Sequence, residues 1–412
     1  MSLRSSSPLS SPRSGASRGD GRLRERRRRR LETRPGYVVV PDLGEPPSSP
    51  TRRHESGLVH SATMVARALA SKYKPLDKNS DLITIELFYP CPNAKERYTL
   101  AYPTTAGEAN PVHDIYTTVP LILENCVTEA YASRFGTNRH GILRSIMKAC
   151  HTKDPHGLAS AIEDYNDEMQ HYWSALSLPD DTFVPFLAQS ASYDLVVHMM
   201  EQSYARTVAP FADALNHYTG FSNNVYGEIK HRLVAQIMNT VKLKPGMVYL
   251  DMGSGIGNTV LQVAAEHNCE SWGIEVMETP AALADSQRRD FTERVRLYNK
   301  PCGTISLLHG DFLNTPAIDA VIQRADVILV NNYAFSAELN HQILAKLLDV
   351  KNTVKIVTLK AFVAVERRLS ARRVDAIESI FRVTEHYFGK SCVSWTNEGG
   401  SFFVHTVDRA SG

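Results

Sequence analysis

Beyond residue 246 the hydrophobic pattern keeps changing period, and that alternation limits the fold more than any other feature of this 412-residue chain. MVYLD (247–251), SWGIE (271–275), TISLLHGD (304–311), DVILVNN (326–332) and TVKIVTLK (353–360) are short apolar runs that read as buried strands. Between them, 258–268, 280–298, 314–323 and 336–349 carry helical patterns, and 371–382 reads as one more helix. Strands alternating with helices through short connections predict an α/β, Rossmann-like doubly wound parallel sheet. SCVSWT (391–396) and SFFVHTV (401–407), joined by the Gly-rich NEGG, predict a closing antiparallel hairpin. Just upstream of the first strand, Ile229, Leu233, Ile237 and Val241 stand four apart, as on one face of a helix.

The first half has another texture. DLITIELFYP (81–90) alternates like a strand, and ERYTLAYP (96–103) supplies a hairpin partner. Helical patterns follow over 112–148, 156–175 and 187–218. Residues 81–222 are therefore expected to form a mixed, mostly helical lobe, and 223–412 the α/β domain. Residues 1–35 are Ser, Arg, Gly and Pro with too little apolar surface to offset ordering entropy, and 41–56 read as a Pro-rich linker, so 1–56 is expected to be a disordered arm.

Charge separates the arm from the rest. The formal net charge is only +2, but residues 1–56 hold 13 Arg and 6 acids, a net +7, and the remainder is net −5. The densest run is Arg22 to Arg30. Such a block seeks a polyanion such as a phosphate backbone, or serves as a nuclear import signal. No stretch approaches the ~18 uninterrupted apolar residues of a membrane span, and no secretory signal is expected. The six cysteines fall at scattered spacings without a CxxC pair. They read as reduced thiols of an intracellular protein, and no metal site is expected.

The chemistry concentrates at VYLDMGSGIGN (248–258). A strand ends at Asp251, Gly253, Gly255 and Gly257 follow at alternate positions, and a helix begins at once. Glycines let backbone approach a ligand and allow positive φ; the helix start offers free N–H groups. The next strand ends at Glu275, placed to accept both hydroxyls of a ribose. The spacing differs from the dinucleotide fingerprint, and Asp251 would repel a pyrophosphate. An ammonium suits Asp251 better, which points to S-adenosylmethionine: methionine part on Asp251 and the loop, ribose on Glu275. A third strand ends in HGDF, where Asp311 is expected at the adenine amino group and Phe312 against the ring.

On the acceptor side, NNYAF (331–335) ends the fourth strand. Asn331 and Asn332 are candidates to orient an amine, and Tyr333 and Phe335 to wall a channel. Trp395 and Phe402 are further wall candidates; Phe403 and Val404 read as plain core. If the acceptor is a lysine, deprotonating it near pH ~7.5 costs about 4 kcal/mol. An apolar channel and a nearby sulfonium both lower that cost. No His or carboxylate stands out as a base.

FSNNVYGE (221–228), LDMGSGIGN (250–258), GIE (273–275), GDF (310–312), VNNYAF (330–335) and SVSWT with the aromatic pair Phe402 and Phe403 together resemble the disruptor-of-telomeric-silencing family of histone H3 lysine methyltransferases. The resemblance covers about 219–408 closely and 81–218 more weakly. It implies a non-SET, Rossmann-like enzyme that methylates lysine seventy-nine of histone H3 on nucleosomes in the nucleus, with roles in telomeric silencing and the DNA damage checkpoint. Carried over, Tyr226, Gly227, Glu228 and Ile229 would form a loop over the cofactor. Tyr249, Leu250, Asp251, Met252, Gly253, Ser254, Gly255, Ile256, Gly257 and Asn258 would hold its methionine and backbone part, Glu275 the ribose, and Asp311 and Phe312 the adenine. Phe221, Asn332, Trp395 and Phe402 would border the lysine channel, and the Arg22–Arg30 arm would contact nucleosomal DNA beside the core histones.

The chain departs from the family at Ile229, at Asn258 where some members have Gln, and at Phe402 where members carry Tyr. Two other readings remain open. One is an amino-methyltransferase acting on DNA adenine or another protein, since NNYAF resembles an Asn-Pro-Pro-aromatic motif without its prolines. The other is a non-catalytic chromatin-binding scaffold.

Overall fold

Seven strands form the central sheet of the computed structural model, which describes residues 57–68, 72–76, 82–176, 188–215, 227–363, 380–407 and 409. Contacts divide the chain into two units, Met1–Glu55 and Ser56–Gly412, and every described residue belongs to the second. The Arg22–Arg30 arm, Phe221, Tyr226 and the expected helix over 371–379 lie outside the described residues.

The lobe begins with α1 (Ser61–Arg67), β1 (Tyr73–Pro75), β2 (Thr84–Phe88), β3 (Lys95–Thr99) and β4 (Ala101–Pro103). β2 and β3 make the expected hairpin, with Ile85 opposite Tyr98. The second run breaks at Leu100, and its last three residues pair with β1 instead. The longer helices are α2 (Pro111–Asn125), α3 (Gly141–Thr152), α4 (Pro155–Leu176) and α5 (Tyr193–Thr207). Asn110 starts α2: its side-chain oxygen accepts from the N–H groups of Val112 and His113, and Pro111 occupies a position where no N–H is needed.

The sheet then runs through α6 (His231–Val241), β5 (Val248–Met252), α7 (Asn258–His267), β6 (Glu270–Glu275), α8 (Glu278–Leu297), β7 (Ile305–His309), α9 (Pro316–Arg324), β8 (Val327–Val330), α10 (Ala337–Lys346), β9 (Lys355–Thr358), β10 (Phe381–Phe388) and β11 (Gly400–Val407). The spatial order is β10-β11-β9-β8-β5-β6-β7. Neighbours from β9 through to β7 are parallel, and β11 is antiparallel to both β9 and β10. All four residues of β8 are buried, and four of five in β5, as expected for strands covered on both faces. Strand order reverses beside β5: the chain moves to β6 and β7 on one side and returns to β8 on the other. A crevice opens outside the carboxyl ends of such strands.

Three expectations are corrected. The closing hairpin pairs Phe381–Phe388 with Gly400–Val407, so SCVSWT is not its first strand. Ser391 adopts φ 58, which no extended strand can contain, and Val393 makes only a single bridge, to Ile229. The expected helix does not reach 382, because Phe381 and Arg382 already belong to β10. Ile229, engaged in that bridge, precedes helix α6 rather than sharing its face.

Lobe and sheet share one core. Phe291, Val295, Leu297 and Tyr298 of the α8 region pack among Tyr89, Tyr98, Val119 and Tyr165 of the lobe. A buried ion network crosses the same boundary. Arg294 Nη1 donates to Glu96 Oε2 at 2.9 Å and its Nε to Asp290 Oδ2 at 2.7 Å; Arg206 Nη2 donates to Glu96 Oε1 at 2.8 Å and to Asp114 Oδ2 at 2.5 Å. Burial works to raise the Glu96 carboxyl pKa, but the Arg206 and Arg294 guanidiniums overturn that and hold it at about 2.

Candidate active site

The loop after β5 is shaped by its glycines. Gly253 has φ +92 and Gly257 φ +83. A Cβ on Gly257 would also stand 2.8 Å from Leu307 Cδ1, so this turn needs glycine twice over. The loop is laced to β6: the N–H groups of Gly253 and Ser254 both donate to the Ile274 carbonyl, at 2.9 and 3.0 Å. Gly255 N–H donates to Glu275 Oε2 at 2.9 Å, and Met277 N–H to Glu275 Oε1 at 2.8 Å. Two backbone donors thus fix the Glu275 carboxylate and leave its other lone pairs free for a ligand.

Asp251 is 3 % exposed. One oxygen accepts from the Thr259 hydroxyl; the other, Oδ1, is buried with no protein partner. Burial pushes its pKa up to about 7, against the lowering effect of the Thr259 hydrogen bond and with help from Glu275. At the end of the adjacent strand β8, Asn331 Nδ2 donates to the Gly227 carbonyl at 3.1 Å, and its Oδ1 is likewise buried without a partner. Both residues line one cavity of about 290 Å³. Buried acceptors are nearly always satisfied. Two unsatisfied ones at the same crevice suit a donor-bearing ligand there.

The same cavity is lined by Gly227, Glu228, Ile229, Gly253, Ser254, Gly255, Ile256, Asn258, Glu275, Asp311 and Phe312. The three strand-end acids expected to converge do converge. Asp311 accepts from Leu313 N–H at 2.8 Å and from Asn314 Nδ2 at 2.6 Å, which fixes its carboxylate at the rim. Phe312 and Phe335 tilt toward each other with centroids 6.4 Å apart.

Four expected cofactor residues stand behind the wall. Tyr249, Leu250 and Met252 are fully buried in the sheet core, and Gly257 packs on Leu307. Thr259, Val276, Met277, Leu313 and Leu339 also line the cavity, and so does Phe335, expected to wall the acceptor channel but absent from the lining of the second cavity. Only Thr259 carried a usable signal: its hydroxyl lies in the first turn of α7, eight residues after Asp251, and can reach back to that strand end.

A second cavity, of about 380 Å³, is reached through the close approach of Gly227, in the first lining, to Trp395, in the second. Its walls include Tyr333, Lys360, Trp395 and Phe403. Tyr333 stacks on Trp395 with centroids 5.2 Å apart. The partition between the cavities is Gly227–Ile229, zipped to the 392–395 segment. Glu228 N–H donates to Ser394 Oγ at 2.8 Å, Ser394 N–H to the Glu228 carbonyl at 2.9 Å, and Lys230 N–H to the Cys392 carbonyl at 3.0 Å.

Two acceptor-side expectations are corrected. Phe402 does not border this cavity: it is fully buried, stacked on His386 at 5.2 Å, while Phe403, expected as core, lines the cavity. Alternate residues of a strand face opposite ways, and the register of β11 against β9, Phe403 opposite Thr358, sets which one faces in. Asn332 lines neither cavity. Its Nδ2 donates to Asn340 Oδ1 and the Lys360 carbonyl, and its Oδ1 accepts from the N–H groups of Leu359 and Lys360, so the whole amide is used inside the protein. Asn331, its neighbour, lines the first cavity instead.

Residues 204–407 match the family described as histone methylation protein DOT1. A protein of Aspergillus fumigatus, named "Histone-lysine N-methyltransferase, H3 lysine-79 specific", is 34% identical over 352 residues, 85% of this chain and 70% of its own length. The chain belongs to the DOT1 histone-methylation family. A protein of the same name from Chaetomium globosum is 35% identical over 353 residues, 85% of this chain and 67% of that one. Among solved structures, an RNA methyltransferase of Salinibacter ruber in complex with S-adenosyl-L-homocysteine overlaps 44% of this chain and 94% of its own, at 15% identity and a TM-score of 0.29. The side chains of this family member fit S-adenosylmethionine: an unpartnered buried carboxylate oxygen for its ammonium, a fixed carboxylate for its ribose, and an acid and an aromatic ring for its adenine.

Proposed function

We propose that the protein methylates the side-chain amine of lysine 79 of histone H3, acting on nucleosomes in the nucleus. The observation that carries this reading is the pair of unpartnered oxygens, Asp251 Oδ1 and Asn331 Oδ1, in one crevice. The first suits a fixed ammonium. The second belongs to a side chain tied to Gly227 of the partition, and suits the amine of an incoming lysine.

S-adenosylmethionine supplies the methyl group, activated on a sulfonium. The chain's own residues bind and aim. Asp251 accepts from the donor's ammonium, Glu275 from the ribose hydroxyls, and Asp311 and Phe312 hold the base. Trp395, Tyr333 and Phe403 strip water from the acceptor side chain. The lysine must lose a proton first, at a cost of about 4 kcal/mol near pH ~7.5. Among the described residues no carboxylate or imidazole lines the second cavity, so the proton leaves to solvent. Positioning of well-oriented reactants supplies at most roughly 7–11 kcal/mol of the barrier. The Arg22–Arg30 arm would bind nucleosomal DNA through its phosphates.

The test is mass spectrometry after incubating nucleosomes, free histones and naked DNA side by side with the donor. Methylation of lysine 79 of H3, strongest on nucleosomes, is expected. Methylated adenine in naked DNA with unmodified histones would replace this reading by the DNA-modifying one. No modification of any of the three, with donor binding also absent by calorimetry, would favour the scaffold.

A further inference from the structure

The acceptor cavity contains a lysine of its own. Lys360 follows β9, lines the second cavity, and carries its ammonium 5.1 Å from the centroid of the Tyr333 ring. Its backbone is held at both ends by one buried amide: Lys360 N–H donates to Asn332 Oδ1 at 2.8 Å, and its carbonyl accepts from Asn332 Nδ2 at 2.9 Å. Asn332 is only 1 % exposed, and Asn340 fixes its amide in turn. Lys360 and Tyr333 are both exposed, so the ammonium stays hydrated; the clamped backbone and the aromatic face keep it at the cavity wall.

We propose that Lys360 serves as a positive charge at the cavity wall that biases the incoming lysine toward its neutral, nucleophilic form. This rests on the proposed function, in which the second cavity receives the acceptor. A cavity of 380 Å³ is only about 9 Å across, comparable to the screening length at physiological salt, so an amine inside it feels the Lys360 charge. Like charge disfavours the ammonium form. Because Lys360 and Tyr333 are exposed, the effective dielectric approaches that of water, and at a separation of roughly 7 Å the acceptor pKa falls by about half a unit.

No other charge in the lining opposes this. Among the described residues, the wall contributed by β8 and its loop has only Tyr333 as an ionisable group, and the walls from Phe388, 393–396 and β11 have none. Lys390 and Glu398 on the neighbouring loop pair with each other at 3.7 Å and are not in the lining. His386 is turned onto Phe402. Asp251, Glu275 and Asp311 line the other cavity. The device meets a need that the absence of a lining base among the described residues leaves open: the amine's proton is released to water, and the S–C bond breaks as the N–C bond forms from the lone pair so exposed.

The experiment compares wild type, Lys360→Gln and Lys360→Arg in single-turnover methylation of nucleosomes, at saturating protein and donor, from pH 6.5 to 10. These conditions report the amine pKa within the complex. The acid limb of Lys360→Gln should move up by about half a unit, costing roughly threefold in rate near neutrality, and its rate should meet the wild-type plateau at high pH. Lys360→Arg should keep the wild-type limb. Binding gives a second readout: Lys360→Gln should tighten nucleosomes carrying lysine at the target position relative to nucleosomes carrying methionine there. A uniform loss at every pH, or an unmoved limb, overturns the proposal. Thermal unfolding and S-adenosylhomocysteine affinity of Lys360→Gln distinguish a damaged fold, which would equally argue for a structural role. If wild type itself leaves nucleosomes unmodified at high pH, the functional reading fails first.

Discussion

Gly227 lies so close to the face of Trp395 that a Cβ at position 227 would stand 2.7 Å from Cε3 of the indole. One residue lines the donor cavity, the other the acceptor cavity. The contact is therefore part of the partition between them, and in the proposed reaction the sulfonium and the acceptor amine approach each other beside it.

Gly227→Ala should push the indole out of place. Overpacking of this kind costs about 1–3 kcal/mol. Because Trp395 also stacks on Tyr333, both binding steps should suffer. The expected result is roughly tenfold weaker S-adenosylhomocysteine binding, a shifted tryptophan emission spectrum and slower nucleosome methylation. Wild-type affinity with unchanged emission would show that the partition yields freely.

Donor binding should release a proton. The Asp251 carboxyl, raised by burial to about 7, is largely protonated in the free protein at pH 6. An ammonium against Oδ1 favours the carboxylate, so binding ejects the proton, and affinity should fall up to tenfold per unit as pH drops below 7. Calorimetry at pH 6 in buffers of different ionisation enthalpy measures this directly. Asp251→Asn should abolish the linkage. Thr259→Val, which removes a hydrogen bond that lowers this pKa, should strengthen it. Buffer-independent heats in wild type would contradict the assignment.

Asn331 and Asn332 should separate by phenotype. Asn331→Ala loses a single hydrogen bond, to the Gly227 carbonyl, and should lower methylation with little loss of melting temperature. Asn332→Ala strands the N–H groups of Leu359 and Lys360, and a cost of about 1–3 kcal/mol per buried unsatisfied group is expected. Thermal unfolding beside an activity assay decides it. Equal melting temperatures for the two variants would refute the division of labour.

The Arg294 network predicts how the lobe is fastened to the sheet. Arg294→Ala leaves Glu96 and Asp290 buried with fewer counter-charges, a loss of roughly 3–5 kcal/mol. Its pH signature has two parts. Glu96, held at about 2, contributes stability that is complete above its unfolded value and is lost only as pH falls toward 2. His198 behaves differently: burial lowers it to about 4, so its contribution is complete above pH ~6.5 and is lost as pH falls from there to 4. Urea unfolding at pH 7.5 and pH 5 should show His198→Gln reducing the pH dependence of wild type, while Arg294→Ala is destabilised at both. An unaltered pH dependence in His198→Gln would count against it.

The parallel sheet, the last strand of its closing hairpin and the three strand-end acids were legible in the sequence because period, glycine spacing and strand-ending acids are local properties. Ser391 was not read as a strand breaker, since left-handed φ at a serine leaves no compositional mark. Likewise, FRVTEHYF looks helical or extended by composition alone, and only pairing with β11 made it a strand.

The chain itself determined most of the donor side: a strand, a glycine turn and a helix in succession make one wall, and the strand ends at Glu275 and Asp311, marked by their acids, supply others. The acceptor side was decided by tertiary structure. Whether Asn331 or Asn332, and whether Phe402 or Phe403, lines a cavity depends on one step of strand register and on which amide the β9 end captures. Adjacent residues of an extended chain point to opposite faces, so identical or near-identical neighbours cannot be told apart until a partner strand fixes the side they take.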